Sequence, residues 1–321
     1  MTRPSAVPPP VTAVLDASSR WLPAQLGAVE ERLREQSRGH GELLGEDAVA
    51  TLAAGGKRLR PLLVLLCAGP DGGEGAVRAA TAIELVHMAT LVHDDVLDAA
   101  PLRRGQPTVA ATSGRDRAAA VGDLLFSRAF ALLAEHGDAR AVALLAEASV
   151  ALARGELAQR HDAFDLGISE RRYLERCRLK TARLFECACR LGRDVAALGA
   201  FGAEIGLAFQ LLDDVLDVSG PPERTGKARG TDLLDGTVTL PLIAAAEAEP
   251  AIRSVDLRAL DAEGAERLCD RIAASGALDR VRSRALAMVA EAKAQLDSAA
   301  FDAEQRQLLG LVADGVVQRY S

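Results

Sequence analysis

The sequence predicts an all-α protein, built as one large helical bundle around a central cavity. Of its 321 residues, 49% are apolar and only 3% are aromatic, and the abundant Ala, Leu, Arg and Glu are strong helix formers. Apolar residues recur at helical spacing from about Val14 to the C-terminus with short breaks. Since no shift in composition marks a boundary, we expect a disordered tail at residues 1–12 and a single domain at residues 13–321.

The helices are expected in a regular succession. Gly55 and Gly56 interrupt the first periodic stretch, and Pro61 then lies in the first turn of the next helix, where proline is tolerated. Ser169 is a favourable N-cap. The later helices are expected at residues 75–98, 115–135, 139–161, 169–191, 195–218, 241–248, 261–274, 278–300 and 302–320. Residues 82–92 are apolar around more than half of the helix, which is typical of a helix inside a large bundle.

Composition and charge exclude several classes of protein. A formal net charge of -7 disfavours nucleic-acid binding, which needs a basic face. The longest apolar run, residues 61–69, is far shorter than the ~20 residues of a membrane span, and the first residues lack the apolar region of a signal peptide. Five cysteines without a CxxC pair predict free buried thiols. We therefore expect a cytoplasmic protein without a membrane span.

The string Asp-Asp-Val-Leu-Asp occurs twice, near the end of two apolar helices, at residues 94–98 and 213–217. Helical spacing places the carboxylates of each copy on one side. One such cluster is usually a solvated helix end. Two clusters in apolar surroundings are different, because their carboxylates repel one another and are costly to desolvate. Each cluster also lies at the negative end of its helix dipole. Carboxylates without His or Cys suit Mg²⁺, which bridges them to phosphate. The hypothesis is a diphosphate held by Mg²⁺ between two acidic helices that face each other across a cavity.

A bound diphosphate also needs cationic side chains. Lys57 and Arg60 lie where a helix begins, and free N–H groups at a helix start bind anions; a solvated basic loop is the alternative. The other candidates are Arg103 with Arg104, Lys180 with Thr181, and Lys227 after Gly226. His87, about two turns before the first motif, is on the sequence alone more often a hydrogen-bonded core residue than a ligand, and His93 is open to the same two interpretations.

With these motifs in this order, the chain resembles the trans-type isoprenyl diphosphate synthases, the polyprenyl synthetase family, from about Leu43 to the C-terminus. The resemblance is carried by residues 55–61, 84–98, 103–108, 122–125, 180–182, 209–217, 226–227 and 239–242. It implies the isoprenoid synthase fold, a homodimer, and Mg²⁺-dependent condensation of isopentenyl diphosphate with an allylic diphosphate.

The resemblance also implies roles for individual residues. Asp94, Asp98 and Asp213 would bind Mg²⁺ that holds the allylic diphosphate, and three further carboxylates would support them: Asp95, Asp214 and Asp217. Isopentenyl diphosphate would be bound by Lys57, Arg60, His87 and Arg104. The allylic diphosphate would be contacted by Arg103, Lys180, Thr181, Gln210 and Lys227, of which Lys180 and Lys227 would also take part in catalysis.

One position departs from the family pattern. The family usually has a second lysine shortly before Thr-Leu-Pro, whereas this chain has Thr237. Threonine cannot supply the missing positive charge. We expect weaker binding of the allylic diphosphate or slower ionisation, but not loss of activity.

Product length should depend on the residues one isoprene layer before the first acidic motif. Five residues of helix span about 7.5 Å, which brings Met88, Ala89 and Thr90 to that depth. Short-chain members of the family typically have Phe or Tyr there, so the absence of an aromatic residue predicts an all-trans product longer than C20. The alternative is that a phenylalanine from another helix closes the tunnel lower down: Phe126, Phe130 or Phe164.

Several other classes of protein share parts of this motif pattern. A geranylgeranyl or farnesyl diphosphate synthase would differ only in product length. A terpene cyclase would usually lack the second Asp-Asp-x-x-Asp motif, and a head-to-head synthase is disfavoured by that motif and by the Lys57 and Arg60 set. A non-catalytic regulatory subunit commonly loses its metal-binding aspartates, whereas this chain has all six.

Overall fold

The protein is helical almost throughout, as the sequence predicts. The computed structural model describes residues 9–18, 20–38, 41–53, 55–103, 105–220, 229–297 and 302–318. Within those ranges the only paired strands are two short ones, β1 (Leu102–Arg103) and β2 (Gln106–Pro107), which form an antiparallel hairpin. The all-α fold class is confirmed.

The α-helices follow one another with short connections. In the first half of the chain they are α1 (Pro9–Ala17), α2 (Leu22–Ser37), α3 (Gly41–Ala53), α4 (Leu59–Ala68), α5 (Gly73–Leu97), α6 (Val109–Ser113), α7 (Arg115–Ala134) and α8 (Ala139–His161). In the second half they are α9 (Glu170–Cys177), α10 (Arg183–Gly192), α11 (Ala196–Ser219), α12 (Thr231–Leu234), α13 (Leu240–Ala248), α14 (Ala262–Ala274), α15 (Ala277–Asp297) and α16 (Ala303–Gln318). Short 3₁₀ helices occupy Pro70–Gly72, Pro250–Ser254 and Leu257–Ala259.

Most boundaries agree with the periodicity, and two differ. The predicted helix 169–191 begins as expected, since the Ser169 side chain accepts a hydrogen bond from the Arg172 N–H. It then changes to a π-helix at Arg178–Ala182 before α10. At the N-terminus, α1 begins at Pro9, inside the segment predicted as a tail, and residues 1–8 lie outside the described residues. A side-chain pattern does not register a local widening of the backbone helix, so the π-turn was not predicted.

The chain divides into two compact units. Unit 1 comprises Met1–Ser149, Cys187–Gly199 and Ala300–Val312, and unit 2 comprises Val150–Glu186, Ala200–Ala299 and Ala313–Ser321. The first acidic motif therefore belongs to unit 1 and the second to unit 2. The expectation that the two motifs face each other across a cavity stays a prediction.

Unit 1 is organised around α5, which packs mainly against α7, α4 and α2. Apolar residues on more than one side of α5, from Ala82 to Val92, are buried, as predicted for a central helix. The C-terminal part of this unit is attached to α4 by Gln305, whose amide donates to the carbonyl oxygens of Leu66 and Cys67 at 2.7 and 2.9 Å. Those bonds satisfy carbonyls at a helix end that has no partners of its own.

The core of unit 2 includes the largest buried aromatic side chains, Tyr173, Phe185 and Phe201. The ring of Phe185 lies 5.6 Å from that of Phe209 on α11. The apolar helix α13 packs against α15. The segment from α9 to α10 in this unit carries Lys180 and Thr181.

Two described segments, Pro70–Leu97 and Ala196–Ser219, are long and apolar enough to cross a membrane by length and composition alone. However, 72% and 56% of their most apolar windows are buried within the protein, as expected for core helices. All five cysteines are free and buried, which confirms the expected thiols.

Candidate functional site

The first acidic motif ends α5, and its three carboxylates differ in exposure. Asp94 is half-buried and Asp98 is exposed, whereas Asp95 is only 5% exposed. The Arg103 guanidinium donates to Asp95 Oδ1 at 2.7 Å. Arg103 belongs to the β-hairpin, so this ion pair attaches the hairpin to the motif. Arg103, predicted to contact the diphosphate, thus has a protein carboxylate as its partner in this structure.

The hairpin is held by hydrogen bonds from Thr108. Its hydroxyl donates to the Ala100 carbonyl at 2.6 Å, and its backbone N–H donates to Pro101 O at 3.1 Å. The same hydroxyl oxygen caps α6 by accepting from the Ala111 N–H. Gly105 forms the turn with φ 74°, a conformation that glycine adopts without strain. The predicted substrate ligand Arg104 lies outside the described residues.

The basic loop before α4 is fixed by Arg58, a residue for which the sequence pattern predicted no role. Arg58 adopts a left-handed conformation with φ 50° just before the helix begins. Its guanidinium pairs with Glu30 at 2.5 Å and with the buried Glu84 at 2.9 Å. Burial alone would lower the pKa of Arg58, but the two carboxylates outweigh it and raise the pKa. Arg58 is therefore a structural cation, and Glu84 in the family motif is its partner.

The two cations predicted to bind isopentenyl diphosphate flank this anchored residue. Lys57 is exposed and Arg60 is half-buried. His87, the third predicted ligand, is half-buried on α5. Arg58 thus fixes the backbone from which Lys57 and Arg60 extend.

His93 packs against α7, which decides between the two interpretations left open for it. Its ring stacks on Phe126 with centroids 5.8 Å apart, and its Nε2 lies 3.3 Å from both Ala119 O and Asp123 Oδ1. A side chain at Gly122 would overlap the imidazole ring. His93 is a packed, hydrogen-bonded residue, and Gly122 of the family motif leaves room for it.

In the second acidic motif, the middle carboxylate is the most enclosed. Asp214 is 3% exposed and accepts hydrogen bonds from the Tyr173 hydroxyl at 2.5 Å and the Gln210 amide at 2.8 Å. Burial, followed by the charge of Asp232, raises the pKa of Asp214 to about 8, against the opposing effect of these two donors. The Thr181 hydroxyl in turn donates to Gln210 Oε1 at 2.7 Å.

The other two carboxylates of this motif are more accessible. Asp213 and Asp217 are both half-buried. Asp217 accepts a hydrogen bond from the Asp232 N–H at 3.2 Å, and its carbonyl accepts from Gly230 at 2.9 Å, which connects the motif to the start of α12. Gly226 and Lys227 lie outside the described residues. Thr237, where the family usually has lysine, donates its N–H to Asp232 O at 2.8 Å.

Lys180 and Thr181 lie in the π-helix, a feature found often at functional sites. The Lys180 ammonium is 2.5 Å from Glu156 Oε2 on α8. Burial raises the pKa of Glu156, but the charges of Lys180 and Arg160 outweigh it, and the net shift is downward. The ion pair holds the Lys180 side chain toward α8.

Two glycines let neighbouring helices approach the π-helix closely. A Cβ at Gly155 on α8 would lie 2.5 Å from the Lys180 backbone N, and one at Gly206 on α11 would lie 2.8 Å from Ala182 Cα. Helical periodicity alone predicted no role for either glycine. Their signal was nevertheless present, because an isolated glycine inside a long helical pattern often marks close packing.

The carboxylates differ in a way that suits metal binding. Asp95 and Asp214 are buried with protein donors, whereas Asp94, Asp98 and Asp213 are half-buried or exposed. Across the described ranges, no cluster of three or more His, Cys, Asp or Glu side chains is arranged to hold a metal ion. Mg²⁺ needs few protein ligands, because water and phosphate oxygens complete its shell. The donor chemistry therefore fits Mg²⁺ bound together with a diphosphate.

The positions predicted to control product length are mostly enclosed. Met88 and Ala89 are buried, and the half-buried Thr90 donates its hydroxyl to His87 O at 2.7 Å. Of the alternative aromatic residues, Phe126 stacks on His93, and Phe164 lies beneath the Arg258 guanidinium at 4.6 Å.

The helical fold and the paired Asp-Asp-Val-Leu-Asp motifs define the class, the isoprenyl diphosphate synthases. The polyprenyl synthetase model matches residues 42–271, and the chain belongs to the polyprenyl synthetase family. It is 44% identical over 241 residues to heptaprenyl diphosphate synthase component 2 of Geobacillus stearothermophilus, covering 71% of this chain and 75% of that protein.

Solved structures agree with this membership. A polyprenyl synthase from Caulobacter crescentus, complexed with calcium and isoprenyl diphosphate, has a TM-score of 0.89 and 34% identity, covering 99% of this chain and 100% of that one. A decaprenyl diphosphate synthase from Rhodobacter capsulatus has a TM-score of 0.87 and 34% identity, covering 97% and 99%. The chain is a trans-polyprenyl diphosphate synthase, a prenyltransferase, as the sequence predicts.

Proposed function

We propose that the protein uses Mg²⁺ to condense isopentenyl diphosphate head-to-tail with an allylic diphosphate, giving an all-trans product longer than C20. The observation that carries the proposal is the difference in burial among the carboxylates of each acidic motif. Asp95 and Asp214 are 5% and 3% exposed, while Asp94 and Asp213 are half-buried and Asp98 is exposed. The relatives named for heptaprenyl and decaprenyl products support the product length.

In this proposal Mg²⁺, when bound, would neutralise the charge that develops on the leaving diphosphate. Lys180 and Lys227 add positive charge at the same leaving group. Lys57, Arg60, His87 and Arg104 hold the diphosphate of the incoming isopentenyl unit. Ala- and Leu-rich helices exclude water, which would otherwise capture the electron-poor allylic carbon.

The bonding changes balance without a further reactant. The allylic C–O bond breaks, and its electrons leave with diphosphate. The isopentenyl double bond supplies the electrons for the new C–C bond, and one proton is then lost. No side-chain base was singled out in the sequence, so the released diphosphate accepts that proton.

Purified chain, isopentenyl diphosphate, Mg²⁺ and allylic primers of several lengths test the proposal, with products sized by chromatography. We expect products above C20. Asp94→Ala and Asp213→Ala should each reduce turnover by orders of magnitude with the fold intact, and the double variant should be little worse, because both residues act on one diphosphate. Asp16→Ala, on the exposed face of α1, is the control. Wild-type turnover in Asp94→Ala would refute the metal-ligand assignment.

We further propose that the protein is a cytoplasmic homodimer. Val150 and Leu157, two turns apart on α8, are 60% and 70% exposed, which is unusual enough for large apolar side chains to suggest a covered face. The name of the Geobacillus relative, component 2, supports a second candidate, a subunit that needs a different partner chain. Activity of the purified chain alone, with a dimer mass that Leu157→Glu reduces to a monomer, favours the homodimer. An inactive wild-type chain favours the second candidate.

A further inference from the structure

The Tyr173 hydroxyl is the first member of a buried chain of hydrogen bonds in unit 2. It donates to Asp214 Oδ2 at 2.5 Å, and Asp214 Oδ1 accepts from the Gln210 amide at 2.8 Å. Gln210 Oε1 then accepts from the Thr181 hydroxyl at 2.7 Å. Tyr173 and Asp214 are 1% and 3% exposed, so water does not compete for the bond between them.

Each bond in this series of hydrogen bonds has a defined donor and a defined acceptor. Asp214 Oδ1 accepts from the Gln210 amide nitrogen, so Gln210 turns its NH₂ group to Asp214. Its carbonyl oxygen then faces Thr181, and the Thr181 proton is used in that bond. The orientation of two predicted substrate contacts, Gln210 and Thr181, thus follows from the orientation of Asp214.

Tyr173 is itself held rigidly. The Arg176 guanidinium lies 5.4 Å from the centre of its ring. Arg176 also donates to the Val238 carbonyl at 2.7 Å, and both side chains are buried. A phenol fixed in this way can hold a carboxylate in one rotamer.

We propose that Tyr173 is a positioning residue for the allylic substrate, which acts through Asp214 to orient Gln210 and Thr181. The inference rests on the function proposed above, in which Gln210 and Thr181 contact that substrate. It concerns a residue outside the acidic motifs and the Lys180–Thr181 pair. Tyr173 itself touches neither substrate in this proposal.

The test is Tyr173→Phe, which removes one oxygen and keeps the ring. A typical hydrogen bond contributes enough to change a rate or a binding constant by up to about tenfold. We expect kcat/KM for the allylic diphosphate to fall about tenfold, with KM for isopentenyl diphosphate unchanged. The matched control is Thr81→Val, which removes a buried hydroxyl that donates to Val77 O at 2.8 Å on α5. It should keep wild-type kinetics.

A double-mutant cycle distinguishes positioning from a purely structural role. If Tyr173 acts through Gln210, the double variant Tyr173→Phe, Gln210→Met should be no slower than Gln210→Met alone. Additive losses, wild-type kinetics in Tyr173→Phe, or an equal rise in KM for both substrates would overturn the inference. If Tyr173→Phe does not fold, Asp214→Asn, which alters the acceptor of the Tyr173 hydroxyl, replaces it in the cycle with the same criterion. A wild-type chain that forms no product by itself would instead favour the candidate that needs a different partner chain.

Discussion

Gly155 is the position where a small change should affect Lys180 most directly. In Gly155→Ala the new Cβ would lie 2.5 Å from the Lys180 backbone N and 2.8 Å from its Cα. Ordinary contact begins near 3.4 Å, so the π-helix or α8 must move by about 0.9 Å. Both atoms belong to the backbone, so rotation of a flexible side chain cannot relieve the overlap.

Two opposing effects decide the stability of this variant. Alanine is favoured over glycine within a helix by about 1 kcal/mol. Overpacking of a close-packed site costs about 1–3 kcal/mol. We expect Gly155→Ala to lower the free energy of unfolding by up to about 2 kcal/mol, the difference between these two effects.

The loss of catalytic rate, expressed as a free energy, should be larger than the loss of unfolding free energy. A displacement near 1 Å at a positioned group can cost about a hundredfold in rate, and Lys180 is predicted to contact the leaving diphosphate. The assay is steady-state prenyl transfer at saturating isopentenyl diphosphate, with urea unfolding measured in parallel. Gly27→Ala is the matched control, because a Cβ at this exposed position of α2 meets no atom within 4 Å. It should gain stability and keep wild-type activity.

Gly155→Ala with wild-type turnover and increased stability would show that α8 and the π-helix do not need their close approach. The proposed role of the glycine would then be wrong. Equal behaviour of Gly155→Ala and Gly27→Ala would lead to the same conclusion.

Two further predictions concern product length and pH. Ala89→Phe fills a fully buried position on α5 and should shorten the product; an unchanged product distribution on chromatography would count against control by this residue. The pKa of Glu156 is lowered from an ordinary value near 4.5, so its ion pair with Lys180 stabilises the fold above that value and is lost as pH falls through the lowered pKa. Glu156→Gln should therefore show a smaller loss of unfolding free energy on acidification, measured by urea unfolding; parallel pH profiles would contradict this.

The sequence pattern predicted most of the helices, because hydrophobic periodicity and helix-end signals depend on residues that are close together in the chain. The predicted helix 139–161 coincides with α8, and Ser169 caps α9 as expected. The acidic motifs and the family resemblance likewise need only the order of residues along the chain. The family and its prenyltransferase activity were therefore accessible before any coordinates.

The roles of individual charged residues were harder to predict from the sequence. Arg58 and Arg60 look alike in the sequence, yet Arg58 is the one bound by Glu30 and the buried Glu84. His93 could have been a ligand, but it packs on α7 beside Gly122. Partners distant in sequence decide these roles, and helical spacing does not identify them.

The sequence by itself determined a helical prenyltransferase with two acidic motifs, because carboxylate chemistry and helical periodicity are written in adjacent residues. Only the tertiary structure decided which carboxylates are enclosed, that Lys180 lies in a π-helix paired with Glu156, and that Tyr173 supports Asp214. The physical reason is that burial and hydrogen bonding depend on which helices pack together, and Tyr173 and Asp214 are 41 positions apart in the chain.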